Sequence, residues 1–279
     1  MPPVAPEIPG YIIGDIVGRG GRSVVYEAKH KFTGARAAVK VLTTDAATEP
    51  RVLRLFRREL RAGLAVHHAH LVRVTGGNGF GAPYFLVMEL LGGESLRQRL
   101  ARNGSLPVAD AIATIRQVAA GLAALHAAGL VHADLKPENV RIAAPGKAKL
   151  VDLGFAHKIG EDRDLHEAGH VMGTANYLAP EMCSRPPQDD FPADVFALGV
   201  TLFEAMTGVL PYKSGTAEEV VRRHRQESPA DLRKYGEFSP SVIQLVNRML
   251  ARDPATRPRA AELVRQFTTI QIGLMRRAA

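Results

Sequence analysis

The sequence is short of the residues that would tie it to several classes of protein. It has one cysteine, Cys183, in 279 residues. No disulfide framework can form within the chain, which suits a reducing compartment. It has no tryptophan, and only 6% of its residues are aromatic. Basic residues interleaved with base-stacking aromatics are therefore missing, although the net charge is +8. An acidic nucleotide or peptide ligand explains that charge as well as a nucleic acid does, and no nucleic-acid partner is expected. The basic residues gather on two predicted helices, Arg51 to Arg61 and Arg222 to Arg225, where solvated faces are the plain reading. No apolar run approaches the roughly 18 residues needed to cross a bilayer. The Pro-rich stretch Met1 to Pro9 lacks the apolar centre of a signal peptide. The expectation is a soluble, cytoplasmic chain without a membrane segment, or the cytosolic domain of a longer protein.

What is present is an ordinary globular composition, 46% hydrophobic and 23% charged. Residues 11–42 alternate short apolar runs with turns, "YIIGDIVG", "SVVYEAKH" and "RAAVKVL", which predicts antiparallel strands. A helical stripe of Val52, Leu55, Phe56 and Leu60 follows Pro50, and two further strand candidates are "LVRVTGG" and "PYFLVMEL". The first 90 residues thus read as a five-stranded sheet carrying one helix. After the hinge-like Gly92-Gly93, helices are predicted over 108–128, 194–207, 216–226, 239–250 and 259–272. The class is α+β: a small β-rich lobe followed by a larger α-rich one.

Chemistry concentrates in five places. "GRGGRSVVYEAKH" at 18–30 has glycines that let a backbone approach phosphates, and Val25 to pack on a base; alone it is equally a plain hairpin. Lys40 ends the strand "AAVK", and Glu59 follows on the helix in "FRREL"; such a pair can hold phosphates while fixing the helix. In "HADLKPEN" at 132–139, Asp134 is a candidate base for a hydroxyl, and Lys136 can neutralise a phosphoryl group. Asn139, with Asp152 of "DLG", supplies oxygen ligands that suit Mg²⁺. "GTANYLAPE" at 173–181, "DVFALGVTLFEAMTGVLPY" at 194–212 and "RMLARDPATRP" at 248–258 complete the series.

In this order and spacing the motifs resemble the eukaryotic-like protein kinases, and bacterial serine/threonine kinases most closely, over about residues 11–270. The resemblance implies the bilobal kinase fold as a single domain over 1–279, with an N-lobe at about 11–88, a hinge at about 89–93 and a C-lobe at about 94–272. It implies ATP with Mg²⁺, or Mn²⁺, and transfer of the γ-phosphoryl group to a Ser or Thr hydroxyl of a protein. The catalytic set would be Asp134, Lys136, Lys40 and Glu59, with Asn139 and Asp152 on the metal. The nucleotide would meet Gly18, Arg19, Gly20, Gly21, Val25, Ala38, Lys40, the gatekeeper Met88, backbone groups of Glu89 and Leu91, and Arg141. Thr174 would pack beside Asp134 and Lys136, Glu181 would pair with Arg257, His132 and Leu153 would join a hydrophobic spine, and Asp194 would brace the catalytic loop. A homodimer through the small lobe is a further expectation by analogy.

The departures are specific. Ala133 stands where the family usually has an Arg that receives an activating phosphate, and residues 155–172 contain no Ser, Thr or Tyr. Activity independent of phosphorylation in that segment is expected. Ser23 replaces the third glycine of the loop. Gly63, one turn inward from Glu59, is expected to leave a gap, unless Leu64 or Leu60 fills it. Arg141, in place of an aliphatic residue, would lay its guanidinium on adenine or else turn away. The competing readings are a nucleotide-binding pseudokinase scaffold and a small-molecule kinase. The peptide-docking segment "GTANYLAPE" speaks against the second.

Overall fold

The computed structural model describes residues 6–143, 146–161, 175–183 and 190–278. Two compact units emerge: a smaller one of Met1–His68, Val72–Gly92 and Asp152–Gly154, and a larger one of Ala69–Leu71, Gly93–Val151 and Phe155–Ala279.

The smaller unit is the expected five-stranded antiparallel sheet. Its strands are β1 (Tyr11–Arg19), β2 (Ser23–His30), β3 (Arg36–Leu42), β4 (Val74–Asn78) and β5 (Phe85–Met88), in the order β1-β2-β3-β5-β4. Period-two alternation gives the sheet two apolar faces. Tyr26, Ala28, Val39, Val41 and Val87 form one core with Ile8. On the other face Leu86 packs with Val74 against Phe56 and Leu60 of helix α1 (Pro50–Ala65). Each such side chain contributes about 1.5–3 kcal/mol on burial. Helix α1 starts with Pro at its first position, where no N–H is missed.

Gly63 overturns the expectation of a gap. A Cβ built there would lie 2.2 Å from Val74 Cγ2 and 2.7 Å from Val74 Cβ. The helix approaches β4 so closely that Val74 itself occupies the space. Neither leucine is the filler: Leu64 is 45% exposed, and Leu60 reaches toward Gly77 and Gly79 instead.

In the larger unit, β6 (Glu94–Ser95) pairs with β8 (Val140–Ala143), which pairs with β9 (Lys147–Leu150); β7 (Leu130–Val131) pairs with β10 (His157–Lys158). The helices are α2 (Leu96–Asn103), α3 (Val108–Ala127), α4 (Phe191–Thr207), α5 (Ala217–Gln226), α6 (Pro240–Met249) and α7 (Ala260–Ala278). Helix α2 was not among the sequence expectations. Ser95 caps it by accepting from Gln98 N, while the Gln98 side chain accepts from Ser95 N. Helix α4 is buried almost all round, through Phe196, Leu198, Val200, Leu202 and Phe203. Helix α3 has 20 residues and holds an 18-residue window with a mean hydropathy of 1.4, long and apolar enough to cross a membrane by length and composition only. It is not an unbroken apolar run, since Asp110, Arg116, Gln117 and His126 interrupt it. Its stripe Ile112, Ile115, Val118, Leu122 and Leu125 is wholly buried in the unit's core.

Candidate active site

Strand register decides which residues of the smaller unit share a face. Gly18 pairs with Val25, Val25 with Lys40, and Lys40 with Leu86. Ala38 pairs with Met88 one step along. Directly opposed residues point the same way in an antiparallel sheet. Gly18, Val25, Ala38, Lys40 and Met88 therefore line one face. Arg19 ends β1, and Gly20 closes the turn by donating its N–H to the Ser23 carbonyl at 2.9 Å. Gly21 has open space where a Cβ would be. Met88 packs on the cluster of Phe56, Leu60, Val74 and Leu86. Glu89 donates its N–H to the Arg73 carbonyl at 2.9 Å and accepts from Arg73 N through its side chain at 2.7 Å, which leaves the Glu89 carbonyl outside this pairing.

On that face Lys40 Nζ donates to Glu59 Oε2 at 2.6 Å and lies 3.6 Å from Asp152 Oδ1. Burial alone would lower the Lys40 pKa; the Glu59 and Asp152 carboxylates outweigh it and hold the ammonium above its ordinary value. Glu59 is pushed up by burial and by Asp152, against the pull of Lys40. Asp152 sits at φ +62, a left-handed conformation that costs an L-residue about 1–2 kcal/mol. Its Oδ1 accepts from Gly154 N at 3.3 Å, and its side chain is 41% exposed. Leu153 beside it is buried.

The larger unit holds the catalytic-loop residues. Asn139 Nδ2 donates to the Asp134 carbonyl at 2.8 Å and to Asp134 Oδ2 at 3.0 Å. Lys136 Nζ lies 2.7 Å from the same Oδ2. Asp134 thus has one carboxylate oxygen bound by an ammonium and an amide. The amide's own oxygen, Asn139 Oδ1, is not engaged by these bonds and is a hard donor of the kind a divalent ion takes.

The loop is held from below by one carboxylate. Asp194, in the first turn of α4, accepts from His132 N at 2.8 Å, Ala133 N at 2.9 Å and, through its Oδ2, pairs with His126 Nε2 at 2.9 Å. Burial would raise the Asp194 pKa, but the hydrogen bonds from His126 and the loop hold it below its ordinary value. Ala133 is at φ +62, so this brace sustains a strained residue. His132 is fully buried: its Nδ1 accepts from Asp134 N at 3.3 Å, and its Nε2 has no hydrogen-bond partner among the described residues.

Glu181 and Arg257 come together as expected, with Arg257 Nη2 donating to Glu181 Oε2 at 2.8 Å and the guanidinium fully buried. Arg141 Nη2 donates to the Gly93 carbonyl at 2.9 Å. Gly93 must be glycine: its φ is +74, and a Cβ would strike the Ile142 carbonyl oxygen at 2.0 Å. Thr174 lies outside the described residues.

Sequence reasoning missed a cluster beside the loop. Arg97 of α2 donates through Nε to Glu138 at 2.8 Å, through Nη1 to Glu204 at 2.6 Å and through Nη2 to Tyr177 Oη at 2.6 Å. Tyr177 Oη donates to Glu204 at 2.6 Å. The cluster ties α2, the catalytic loop, the 175–177 turn and α4 together. The capping pair Ser95–Gln98 was the available signal for α2; nothing local announces partners this far apart in the chain.

Fold and residues define a kinase-type domain: an antiparallel sheet lobe carrying a Lys–Glu pair, and a helical lobe carrying an Asp–Lys–Asn loop. The family model described as the protein kinase domain matches residues 11–267, and the chain belongs to that family. It is 36% identical over 256 residues to the serine/threonine-protein kinase PknA of Mycobacterium tuberculosis, covering 90% of this chain and 58% of the relative. It is 33% identical over 264 residues to serine/threonine-protein kinase pkn3 of Myxococcus xanthus, covering 90% of this chain and 48% of the relative. Against drp72 of Corynebacterium efficiens it is 34% identical over 271 residues, covering 95% and 51%. The chain spans about half the length of these relatives. The family uses ATP with a divalent metal.

Proposed function

We propose that the chain is a serine/threonine protein kinase domain, acting over 1–279, that transfers the ATP γ-phosphoryl group to protein hydroxyls. The observation that carries this is the interlocked Asp134–Lys136–Asn139 set, held within 2.7–3.0 Å on a loop braced by Asp194. Asp134 orients the substrate hydroxyl and accepts its proton. Lys136 and Lys40 offset the charge that develops on the transferring group. Glu59 keeps Lys40 in place. The sheet face of Gly18, Val25, Ala38 and Met88 receives the nucleotide with Arg19, Gly20 and Gly21, while Glu89 and Leu91 offer backbone groups to adenine.

Asp152 and Asn139 fit a divalent ion, because both present oxygen donors and Mg²⁺ needs only one or two from the protein beside phosphates and water. We assign Mg²⁺, with Mn²⁺ able to substitute; when bound, the ion neutralises phosphate charge. The Arg141 bond to Gly93 fixes its guanidinium at the start of β6, which favours the turned-away alternative over stacking. Among the features that favoured a scaffold, Gly63 has a packing reason.

Regulation is proposed to bypass phosphorylation of 155–172, since Ala133 offers no receiver and the segment no hydroxyl. A cytoplasmic setting and a small-lobe homodimer remain part of this reading; sedimentation of the purified chain tests the dimer. Radiolabelled ATP with wild type and Asp152→Ala, followed by phosphosite mapping, tests the activity. Equal incorporation by the two would overturn the kinase assignment. Activity lost together with a phosphate in this segment would overturn the regulatory one.

A further inference from the structure

Away from the catalytic loop, the larger unit carries a groove along α6. Two open pockets, of about 560 and 470 Å³, share Arg233, Asn247 and Ala251. The first has an apolar floor of Pro240 and Ile243 and polar walls of Arg233, Gln244, Asn247 and Arg248. Among the described residues, no carboxylate lines it. Among the described residues, Gln244, Asn247 and Arg248 make no side-chain hydrogen bond or ion pair. Among those residues Arg233 pairs only with Asp231, at 3.4 Å and with both side chains exposed, a contact that water and salt largely screen.

The second pocket differs. Carboxylates line it: Glu227 and Asp231 stand beside Arg233 and Arg252, and Arg252 also donates to the Glu227 carbonyl at 3.0 Å. Uncompensated positive charge is thus concentrated at the Arg248 end, beside two carboxamides with free donors and acceptors. Guanidinium and amide groups over an apolar floor suit an extended peptide whose side chains are carboxylates.

We propose that this groove docks an acidic, Asp/Glu-bearing segment of the protein substrate, separate from the residue that is phosphorylated. The proposal rests on the protein-kinase reading above. Docking outside the catalytic loop raises the local concentration of the acceptor hydroxyl and changes KM without changing chemistry.

The test uses the full chain and two probes. The first is a fluorescein-labelled hexaglutamate peptide without Ser, Thr or Tyr, followed by anisotropy. Wild type is expected to bind it in a salt-sensitive way. Arg248→Glu should weaken binding at least about 10-fold, and Arg248→Gln by less. Arg225→Glu, an exposed change on α5, serves as the control and should have little effect. The second probe is one Ser-containing peptide with and without that acidic tail, joined by a Gly/Ser linker of about 20 residues, which reaches about 25 Å. The tail should lower KM about 10-fold in wild type and not in Arg248→Glu, with kcat and the tail-less KM unchanged.

Equal loss in Arg248→Glu and Arg225→Glu means unspecific attraction and overturns the proposal. Arg248-dependent binding with no effect of the tail on KM overturns the substrate as occupant and points to a second copy of the chain. Arg248-dependent binding with no transfer to either peptide sinks the kinase reading and leaves the groove's ligand chemistry supported.

Discussion

In the smaller unit a buried ammonium is held by charge: Lys40 sits between Glu59 at 2.6 Å and Asp152 at 3.6 Å. In the larger unit the catalytic loop is held mainly by backbone hydrogen bonds, with Asp194 collecting two N–H groups and His126. The two arrangements fail differently. Removing Glu59 from the first leaves a buried ammonium with Asp152, at 3.6 Å, offsetting only part of its desolvation cost. Removing Asp194 leaves neutral donors unsatisfied and frees Ala133 from its left-handed conformation. Function and stability are therefore joined at Lys40–Glu59, and more nearly separable at Asp134.

The largest effect falls on Asp134. Asp134→Asn keeps hydrogen-bonding groups near Lys136 and Asn139 but cannot take a proton. Single-turnover transfer should slow by about 10²–10⁴-fold, while the thermal midpoint moves by no more than a few degrees. A large loss of stability instead would mean that the loop too is held by charge.

Glu59→Gln comes next and should cost both properties. Breaking a buried ion pair from one side is worth about 3 kcal/mol, somewhat softened here by Asp152. Denaturant titration should show that loss together with weaker ATP binding. The double change Lys40→Met with Glu59→Met should recover most of the stability and none of the activity. Failure of the pair to recover would show that the geometry, not the charge, carries the loss. Asp194→Ala in the other unit should cost a similar amount, about 1–3 kcal/mol for each orphaned donor, with no rescue from changing His126.

Gly63→Ala is a smaller and more pointed change. Helix propensity alone favours Ala by about 1 kcal/mol. The clash with Val74 opposes it, and overpacking of this kind costs about 1–3 kcal/mol. The single variant should therefore be destabilised, and Val74→Ala in the same chain should reverse part of that. A stabilised Gly63→Ala would mean that β4 yields easily.

How far the sequence could be read follows from these same residues. The sheet and the main helices show in period two and period 3.6, because each element buries its own stripe. Lys40, Glu59, Asp134 and Asn139 show because each stands in a distinctive local motif. Gly63 was misread because a glycine names no partner, and Val74 is on another element. Arg97 was invisible for the same reason: its partners Glu138, Tyr177 and Glu204 meet it only after folding. Arg141 was placed by the motif, but its bond to Gly93 depends on the β6–β8 pairing. Helix α3 was judged by unbroken apolar runs, whereas a few polar residues leave its mean hydropathy high.

The smallest effect sharpens the contrast by pH. His224 of α5 is buried against Phe196 and Tyr212, and its Nδ1 lies 2.6 Å from the Leu178 carbonyl. That bond makes Nδ1 the protonated nitrogen of the neutral ring, and Nε2 is without a partner among the described residues. Burial lowers the His224 pKa below 6.5, and the Leu178 bond opposes this only in part. Protons therefore bind the unfolded chain more readily. The stabilising contribution is complete above pH 6.5 and is lost as pH falls through the lowered folded value. Lys40 has the opposite sign: its folded pKa is raised, so its contribution is complete below pH 10.5 and is lost as pH rises through the folded value. Stability measured from pH 8 to pH 5 should fall toward acid in wild type, with His224 supplying at most about 1.4 kcal/mol per pH unit. His224→Phe should lose some stability at pH 8 through the missing Leu178 bond, yet show a shallower acid slope. Parallel slopes for the two proteins would remove His224 as the cause and leave the acid loss to the carboxylates.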